Sequence, residues 1–424
     1  MKKKILCKGA LLILLCMSLS GCADNEILDE IPRDFSMVSS VFGEQRAEES
    51  AESHESEADI SEDELTDLKN GEIEVFLRED ASEYARWTLN ETEQLWYDDI
   101  KQILGAYGEK VRLNEAGLNA GYDEADIDRI FQYVLNDHPE LFYVEGYSYT
   151  KYSRGEKTTA IEFSGTYSVD RETAESRYEA IEAAVKEILS GLDENADQYT
   201  KVKYVYDTII RSTDYDLSAP DNQNIYSVFI NHLSVCQGYA KATQYLLNRL
   251  GMECTLVLGT VDTGEGHAWN LVKIDGSYYY LDTTWGDASY RMEDSGSESG
   301  IAMPEINYDY LNVTAAELFK THTLAEGGVP MPACVATEAN YYSREGALFS
   351  GYDRAQMTAL FDRAKEQGRD DVTVKCTDEE SYSQVMTELI DNQEIFDYLD
   401  DAGSTVAYAQ NEKQLSLTFW VTNE

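Results

Sequence analysis

A cysteine at the start of a predicted helix is the first residue of this sequence that could carry covalent chemistry. The stretch SVCQGYAKATQYLLNRLG (234–251) places Cys236 before apolar positions at three- and four-residue spacing, and Gly251 ends the pattern. The first turn of a helix carries unpaired N–H groups and partial positive charge, and both stabilise a thiolate. We therefore predict a nucleophilic Cys236 at the N-terminus of a buried helix. A buried structural thiol is the alternative, because free cysteine packs as a small apolar residue.

A thiolate needs a base, and His267 has the best sequence context of the five histidines. It lies in strand-like sequence after a Gly-rich loop, and Asp-Gly at 275–276 then predicts a two-residue hairpin turn. This register places His267 opposite Thr284 and makes Asp282 its diagonal neighbour on the same face. Diagonal neighbours lie about 7–8 Å apart at the backbone, which these two side chains can bridge. We therefore predict a triad in which Cys236 is the nucleophile, His267 the base and Asp282 the residue that orients it.

Three sequence blocks in this order resemble the transglutaminase-like superfamily. They are VCQGYA at 235–240, GHAWN at 266–270 and LDTTW at 281–285, and the resemblance spans about residues 171–325. It implies an α+β, papain-like fold in which a central helix carries the nucleophile and packs on an antiparallel sheet. It also implies attack on an amide carbonyl, a thioester intermediate and transfer of the acyl group to water or an amine. No metal and no organic cofactor are required, and the calcium-binding EF-hand pattern is absent from the sequence.

The same blocks suggest residues that surround the triad. Four of them are expected to line the substrate site: Gln237, Gly238, Trp269 and Trp285. At strand spacing, the two tryptophans are explained equally simply as core and cleft wall. An oxyanion hole would use the Cys236 backbone N–H and one further donor. Three residues are candidates for that donor by position alone: Gln223, Asn224 and Asn231.

Two further residues are open alternatives near the predicted site. Asp287, two residues past Trp285, is a rival to Asp282 as the carboxylate that orients the histidine. His322, in LFKTHTL, is predicted to end a helix, with a role on the substrate side as the alternative.

The N-terminus predicts export and a lipid anchor. Four lysines precede an apolar run of about ten residues, which suits a signal peptide and is too short to span a bilayer. The run ends in Leu-Ser-Gly-Cys, which resembles the lipobox of bacterial lipoproteins. We predict a signal peptide over 1–21 and a diacylated Cys22, which would anchor the protein to the outer face of the bacterial cell membrane. An ordinary cleaved signal is the alternative.

The sequence is strongly acidic, with 80 Asp and Glu against 34 Lys and Arg and a net charge of −46. This charge argues against nucleic acid and against an anionic membrane surface as electrostatic partners. Residues 22–70 are rich in acidic residues and poor in large apolar ones, so we predict a disordered tether there. Four cysteines remain in the exported chain beyond residue 22, too few and too scattered for a disulfide framework.

The remaining sequence predicts three folded domains. Helix- and strand-like segments over 71–170 indicate an N-terminal α+β domain, residues 171–330 the transglutaminase-like domain, and 331–424 a small C-terminal α+β domain. The predicted function is that of a surface lipoprotein that hydrolyses or transfers acyl groups from amide bonds of proteins or peptides, including cell-wall peptides. The alternative is a surface lipoprotein that uses the same fold for binding without catalysis.

Overall fold

The computed structural model describes six stretches of the chain: 48–49, 76–78, 81–154, 157–287, 304–399 and 406–420. The predicted signal peptide (1–21), Cys22 and all of the predicted tether except 48–49 lie outside the described residues. The chain divides into two compact units. The larger takes Asp34–Thr284 and Thr321–Ala333, and the described part of the smaller comes from Trp285–Lys320 and Cys334–Glu424.

Five of the larger unit's helices begin where the sequence supplies a polar cap. Each cap residue accepts a hydrogen bond from a first-turn N–H group: Asn90, Asn114, Asp123, Asp170 and Asp197. The helices, in chain order, are α1 (Tyr84–Trp87), α2 (Glu91–Gly105), α3 (Glu115–Ala120), α4 (Glu124–Asp137), α5 (Arg171–Ser190), α6 (Gln198–Ser212) and α7 (Cys236–Arg249). Helix α7 is the predicted helix that starts at the cysteine.

The strands of the larger unit form two four-stranded sheets and one short pair. They are β1 (Glu48–Glu49), β2 (Val111–Arg112), β3 (Val144–Arg154), β4 (Lys157–Tyr167), β5 (Asp214–Tyr215), β6 (Leu233–Ser234), β7 (Cys254–Val261), β8 (Gly266–Ile274), β9 (Ser277–Leu281) and β10 (His322–Leu324). The first sheet has the order β1-β3-β4-β2, and the second, which is antiparallel throughout, has the order β10-β7-β8-β9. Strands β5 and β6 pair only with each other.

The hairpin between β8 and β9 has the predicted register. Ile274 pairs with Ser277 and Asn270 with Leu281, around a two-residue turn at 275–276. The ladder ends there, because the short helix α8 (Thr283–Gly286) follows β9. The predicted pairing of His267 with Thr284 is therefore wrong, although Asp282 still follows directly after the paired strand.

Helix α7 packs on the antiparallel sheet, and this confirms the predicted α+β arrangement. Cys236 and Ala240 form one apolar cluster with Leu256 of β7 and Ala268 of β8. The Asn270 side chain donates a hydrogen bond of 2.9 Å to the backbone oxygen of Ala240. The sheet therefore holds the first turns of the helix by apolar packing and by a buried hydrogen bond.

Residues from the predicted N-terminal domain and from the predicted catalytic domain lie together in the larger unit. On α4, the Asn136 side chain donates to Thr255 Oγ1 and to the backbone oxygen of Leu256, both at 3.0 Å. In return, the Gln244 side chain on α7 donates to the backbone oxygen of Asn136 at 2.9 Å. These buried amides join the two segments across the proposed boundary at residue 170.

The smaller unit has its own mixed sheet, of order β11-β12-β14-β13. Its elements are α9 (Ala315–Leu318), α10 (Tyr341–Arg344), β11 (Leu348–Phe349), α11 (Arg354–Glu366), β12 (Asp371–Cys376), α12 (Glu379–Met386), β13 (Ala407–Asn411) and β14 (Ser416–Trp420). The buried Lys375 ammonium lies 3.3 Å from an Asp309 carboxylate oxygen, so this unit encloses a compensated charge. The sequence pattern over 378–399 predicts one long helix, which is wrong because α12 ends at Met386 and a π-helical turn follows.

Candidate active site

Helix α7 begins differently from the five capped helices of the larger unit. The residue before it, Val235, has an extended backbone and no side-chain oxygen to cap the first turn. Within the described residues, the N–H groups of Cys236, Gln237 and Gly238 have no hydrogen-bond partner. Unpaired N–H groups at a helix N-terminus attract negative charge. The sequence therefore leaves this turn open at the residue that could hold a thiolate.

Gly238 lets the preceding chain lie against the first turn of α7. A Cβ at this position would come within 1.9 Å of Ser234 Oγ and 2.9 Å of the Asn222 backbone oxygen. The Ser234 hydroxyl donates to that same oxygen at 2.6 Å, so the two segments are joined where a side chain would intrude. Gly238 was predicted to line the substrate site, and the structure gives it this packing role.

The histidine and the carboxylate of the predicted triad are in direct contact. His267 Nε2 lies 2.7 Å from Asp282 Oδ2, and both side chains are buried. The second carboxylate oxygen, Oδ1, accepts the backbone N–H of Thr284 at 2.9 Å. The short helix α8 supplies that N–H, so the element that ends the ladder also fixes the carboxylate.

The environment of His267 favours its protonated form. Burial lowers the pKa of this imidazole, but the Asp282 carboxylate and a hydrogen bond with the Cys236 thiol raise it from its usual 6.5 to about 10. Because Nε2 is engaged by Asp282, Nδ1 is the ring nitrogen left to face the thiol. Cys236, at 6% exposure, is almost enclosed. The three residues thus form a connected Cys-His-Asp chain.

Asp282 stays ionised although it is fully buried. Burial raises the pKa of its carboxyl group, but the charge and hydrogen bond of His267, together with a hydrogen bond from His322, hold the pKa well below its usual range. A buried carboxylate with several hydrogen-bond donors is a fixed negative charge beside the imidazole. It can therefore keep His267 oriented and charged.

His322 lies in the site, in a role that the sequence did not indicate. Its Nε2 lies 3.0 Å from Asp282 Oδ2, the same oxygen that contacts His267, and its Nδ1 lies 2.8 Å from Thr321 Oγ1. The expectation that His322 ends a helix is wrong, because it begins strand β10 and pairs with Val261 of β7. This long-range pairing brings it to the site, and no local signal in the sequence indicates its contact with Asp282.

The remaining predicted residues have defined places. The Trp269 ring is buried and stacks on His267 with ring centroids 6.0 Å apart, which makes it a wall behind the imidazole. Trp285 belongs to the smaller unit and packs edge-on against Tyr310 at 5.1 Å. Gln237 has a buried side-chain oxygen with no hydrogen-bond partner among the described residues. Asp287, the rival carboxylate, forms a β-bridge with Ile306 in the smaller unit.

One of the three candidate oxyanion donors is already committed. The Asn224 side-chain oxygen accepts the N–H groups of Tyr226 and Ser227, and its amide nitrogen donates to the backbone oxygen of Phe142. Its hydrogen bonds therefore hold the loop before α7. The other two residues, the exposed Gln223 and the half-buried Asn231, remain candidates for the second oxyanion donor, in addition to the N–H groups of α7.

The same cluster contains donor atoms that a metal ion could use. One ligand atom from each of His267, Asp282 and His322 lies within 4.8 Å of the other two. Hydrogen bonds already join both imidazoles to the carboxylate, and an ion would have to replace them. We therefore assign these atoms to a hydrogen-bond network, and the chemistry of a Cys-His-Asp chain requires no metal.

Comparison with known families matches part of the larger unit. Residues 182–283 match the model of the transglutaminase-like superfamily, which confirms the resemblance of the three sequence blocks. The matched range includes Cys236, His267 and Asp282, and it ends before His322. No curated protein matches the sequence of this chain at a significant level.

Solved structures show only weak similarity to this chain. A TGase shares 14% identity over 38% of this chain, with a TM-score of 0.24. A suspected cysteine protease from Cytophaga hutchinsonii shares 15% over 32%, with a TM-score of 0.23, and the periplasmic domain of TgpA from Pseudomonas aeruginosa shares 17% over 33%, with a TM-score of 0.22. The matches cover 53%, 61% and 58% of those chains, respectively. At these TM-scores the assignment rests on the family match and on the geometry of the site.

Proposed function

We propose, from the transglutaminase-like domain that residues 182–283 form, that this protein is a cysteine-dependent enzyme that cleaves or transfers acyl groups from amide bonds. The observation that carries the proposal is the chain from Cys236 through His267 to Asp282, closed by the 2.7 Å contact between imidazole and carboxylate. A buried structural cysteine needs neither a charged imidazole beside it nor an uncapped helix N-terminus. Both features are what a thiolate nucleophile requires.

The proposed reaction has two halves, each with a defined role for the imidazole. The Cys236 thiolate attacks the amide carbonyl, and His267 gives its proton to the leaving nitrogen, so that an amine departs and a thioester remains. His267, now neutral, takes a proton from water or from an amine as that molecule attacks the thioester. The carbon–sulfur bond then breaks, the acyl group leaves as an acid or a new amide, and the thiolate–imidazolium pair is restored.

The oxyanion of each half would form next to the first turn of α7. The free N–H groups of this turn are hydrogen-bond donors that need no rearrangement when the charge develops. Removing one such donor typically costs about 10²- to 10³-fold in rate. We assign the Cys236 N–H to this role and leave the second donor between Gln223 and Asn231.

We place hydrolysis ahead of transfer, with protein or peptide amides as the substrate class. Water is always available as an acceptor, whereas transfer needs a binding site for an amine. The family match includes the nucleophile and its partners, and it does not decide the acceptor. Peptides of the cell wall are included in this class because the predicted signal peptide and lipidation of Cys22 would put the enzyme outside the cytoplasm.

The proposed location is the outer face of the bacterial cell membrane, through a diacylated Cys22. The cysteine follows an apolar run that suits a signal peptide. Among the described residues, no helix is both long and apolar enough to cross a bilayer.

Thiol reactivity tests the proposal. We would alkylate the purified full-length protein with iodoacetamide across a pH series and follow the modified cysteines by mass spectrometry. Cys236 should react rapidly well below pH 8.5, the ordinary pKa of a cysteine. The variant Cys236→Ala should lose this fast reaction, and His267→Ala should move it to higher pH. Burial raises the pKa of the Cys254 and Cys376 thiols, so they should react slowly and serve as internal references.

A second measurement follows the chemistry itself. Wild-type protein incubated with a peptide library should release amines or ammonia and carry a transient acyl group on Cys236. If Cys236 reacts no faster than the buried thiols and no acyl group forms on it, the enzymatic proposal is wrong. The fold would then serve a surface protein that binds its partners without catalysis.

A further inference from the structure

Asp282 has one more hydrogen-bond donor than a Cys-His-Asp chain needs. Its Oδ2 atom is 2.7 Å from His267 Nε2 and 3.0 Å from His322 Nε2, while Oδ1 accepts the N–H of Thr284. A fully buried carboxylate can rotate about its terminal bond unless its partners prevent this. The Thr284 N–H and His322 therefore hold the carboxylate from outside the reacting pair of Cys236 and His267.

Strand β10 and the residues beneath it fix the place of His322. The backbone N–H of Asp262 donates to the Thr321 backbone oxygen at 2.9 Å, and His322 itself pairs with Val261. The Trp269 ring packs edge-on against the His322 ring, with centroids 5.0 Å apart. The His322 side chain is fully buried, so neither solvent nor free rotation competes with its contact to Asp282.

The partners of His322 define its hydrogen positions. An ionised carboxylate only accepts hydrogen bonds, so His322 Nε2 must carry the hydrogen that points to Asp282. In the neutral imidazole Nδ1 is then an acceptor, and the Thr321 hydroxyl 2.8 Å away can donate to it. The Asp282 carboxylate therefore sets the tautomer of His322, and the Thr321 hydroxyl, which can donate or accept, adapts to it.

We propose that His322 is a positioning residue that holds the Asp282 carboxylate in line with His267, with Thr321 holding the opposite side of the His322 ring. The proposal rests on the proposed function of the triad. It lengthens the triad into a hydrogen-bonded chain of five residues. Its last two members lie outside the matched family range, His322 as the first residue of β10 and Thr321 directly before that strand. In this role His322 acts through Asp282 and takes no part in the proton transfer.

Four variants of the full-length protein test this role by the rate of Cys236 alkylation near neutral pH. His322→Leu removes the donor at similar volume and should slow the reaction about 10- to 100-fold, because a misplaced catalytic group costs that much. His322→Gln keeps an N–H that can reach Asp282 and should stay close to the wild-type rate. Thr321→Val should slow the reaction severalfold, and Thr321→Ser should restore it.

A matched control is the exposed His232, four residues before the nucleophile. Its backbone has a positive φ of 58°, which asparagine tolerates, so His232→Asn should leave the rate unchanged. The folding of each variant would be checked by circular dichroism and urea unfolding. If His322→Leu does not fold, the comparison of His322→Gln with wild type and of Thr321→Val with Thr321→Ser decides the question.

Nuclear magnetic resonance of ¹⁵N-histidine separates this proposal from the proposed function. The His267 ring signals report its tautomer and the exchange of its Nε2 hydrogen, whether or not Cys236 is reactive. They should change in His322→Leu and stay unchanged in His322→Gln and His232→Asn. If they are the same in His322→Leu as in wild type, the positioning role is wrong. If they change while wild-type Cys236 reacts slowly, the positioning role stands and the enzymatic proposal fails.

Discussion

Asp282 and His267 stabilise each other's charge inside the protein, and the pH range of this stabilisation follows from their pKa shifts. His267 has a raised pKa, so its contribution is complete below its usual 6.5 and is lost as the pH rises through about 10. Asp282 has a lowered pKa, so its contribution is complete above its usual 3.8 and is lost as the pH falls through its folded-state pKa. Both contributions are therefore complete only between these two usual values.

The first prediction concerns Asp282→Asn. Removing one partner of a buried ion pair leaves the other charge uncompensated, so the free energy of unfolding should fall by about 3 to 5 kcal/mol near pH 5 to 6. The difference from wild type should shrink as the pH approaches 10, because His267 is then neutral in both proteins. Urea unfolding across this pH range measures it.

A surface carboxylate provides the comparison. Glu175 pairs with Arg171 at 3.1 Å on α5, with both side chains partly exposed. Glu175→Gln should therefore change the stability by less than about 1 kcal/mol at any pH in the series. A loss in Asp282→Asn that stays constant from pH 5 to pH 10 would contradict the assigned charge of His267.

Among the strands, Gly259 on β7 allows β10 to pack closely against β7 and the Trp269 ring. A Cβ at Gly259 would lie 2.0 Å from the Thr323 backbone oxygen and 2.5 Å from the Trp269 ring. Thr323 is a backbone neighbour on β10, directly after His322. The absent side chain therefore makes room for the strand that carries the second histidine.

The second prediction is that Gly259→Ala weakens both the fold and the site. Relief of the overlap must shift β10 or the Trp269 ring, at a cost of about 1–3 kcal/mol. The shift would also displace His322, so Cys236 should be alkylated more slowly than in wild type. Gly146→Ala on β3 is the control, since a Cβ there meets nothing within 4 Å. A Gly259→Ala protein as stable and as reactive as wild type would contradict the close packing of β10 at this position.

The elements also show where sequence reasoning succeeds and fails. The register of β8 and β9 could be predicted because it depends on two adjacent residues: Asp275 and Gly276 both have positive φ, as a two-residue hairpin turn requires. The place of His322 depends on pairing with Val261, 61 positions earlier, and nothing near LFKTHTL encodes that partner. The same holds for α12, whose apolar spacing continues past Met386 while its backbone does not.

In the molecule as a whole, the domains predicted from local sequence composition differ from the two units that the contacts define. The boundary proposed at residue 170 separates α4 from α7, yet Asn136 and Gln244 bind across it. Residues 321–333 return to the larger unit after the chain has passed through the smaller one. Such a return leaves no mark in composition, although it delivers His322 to the site.

The acidity of the chain bears on how the proposed membrane attachment would work. A net charge of −46 repels the anionic surface of a bacterial membrane, so attachment cannot depend on electrostatic attraction. Two acyl chains on Cys22 would supply binding that does not depend on charge, since each buried methylene contributes about 0.8 kcal/mol. Membrane association should therefore depend on the proposed acyl chains at Cys22.

The third prediction follows from this dependence. Wild-type protein should be found with the membranes after cell lysis and should incorporate labelled palmitate, whereas Cys22→Ala should lose the label. Without acyl chains, any Cys22→Ala protein that is still cleaved should be found in the soluble fraction, at high and low salt alike. Cys16→Ala, a change within the predicted signal peptide, is the control and should leave label and location unchanged. Processed Cys22→Ala protein that stays on the membrane would require another attachment.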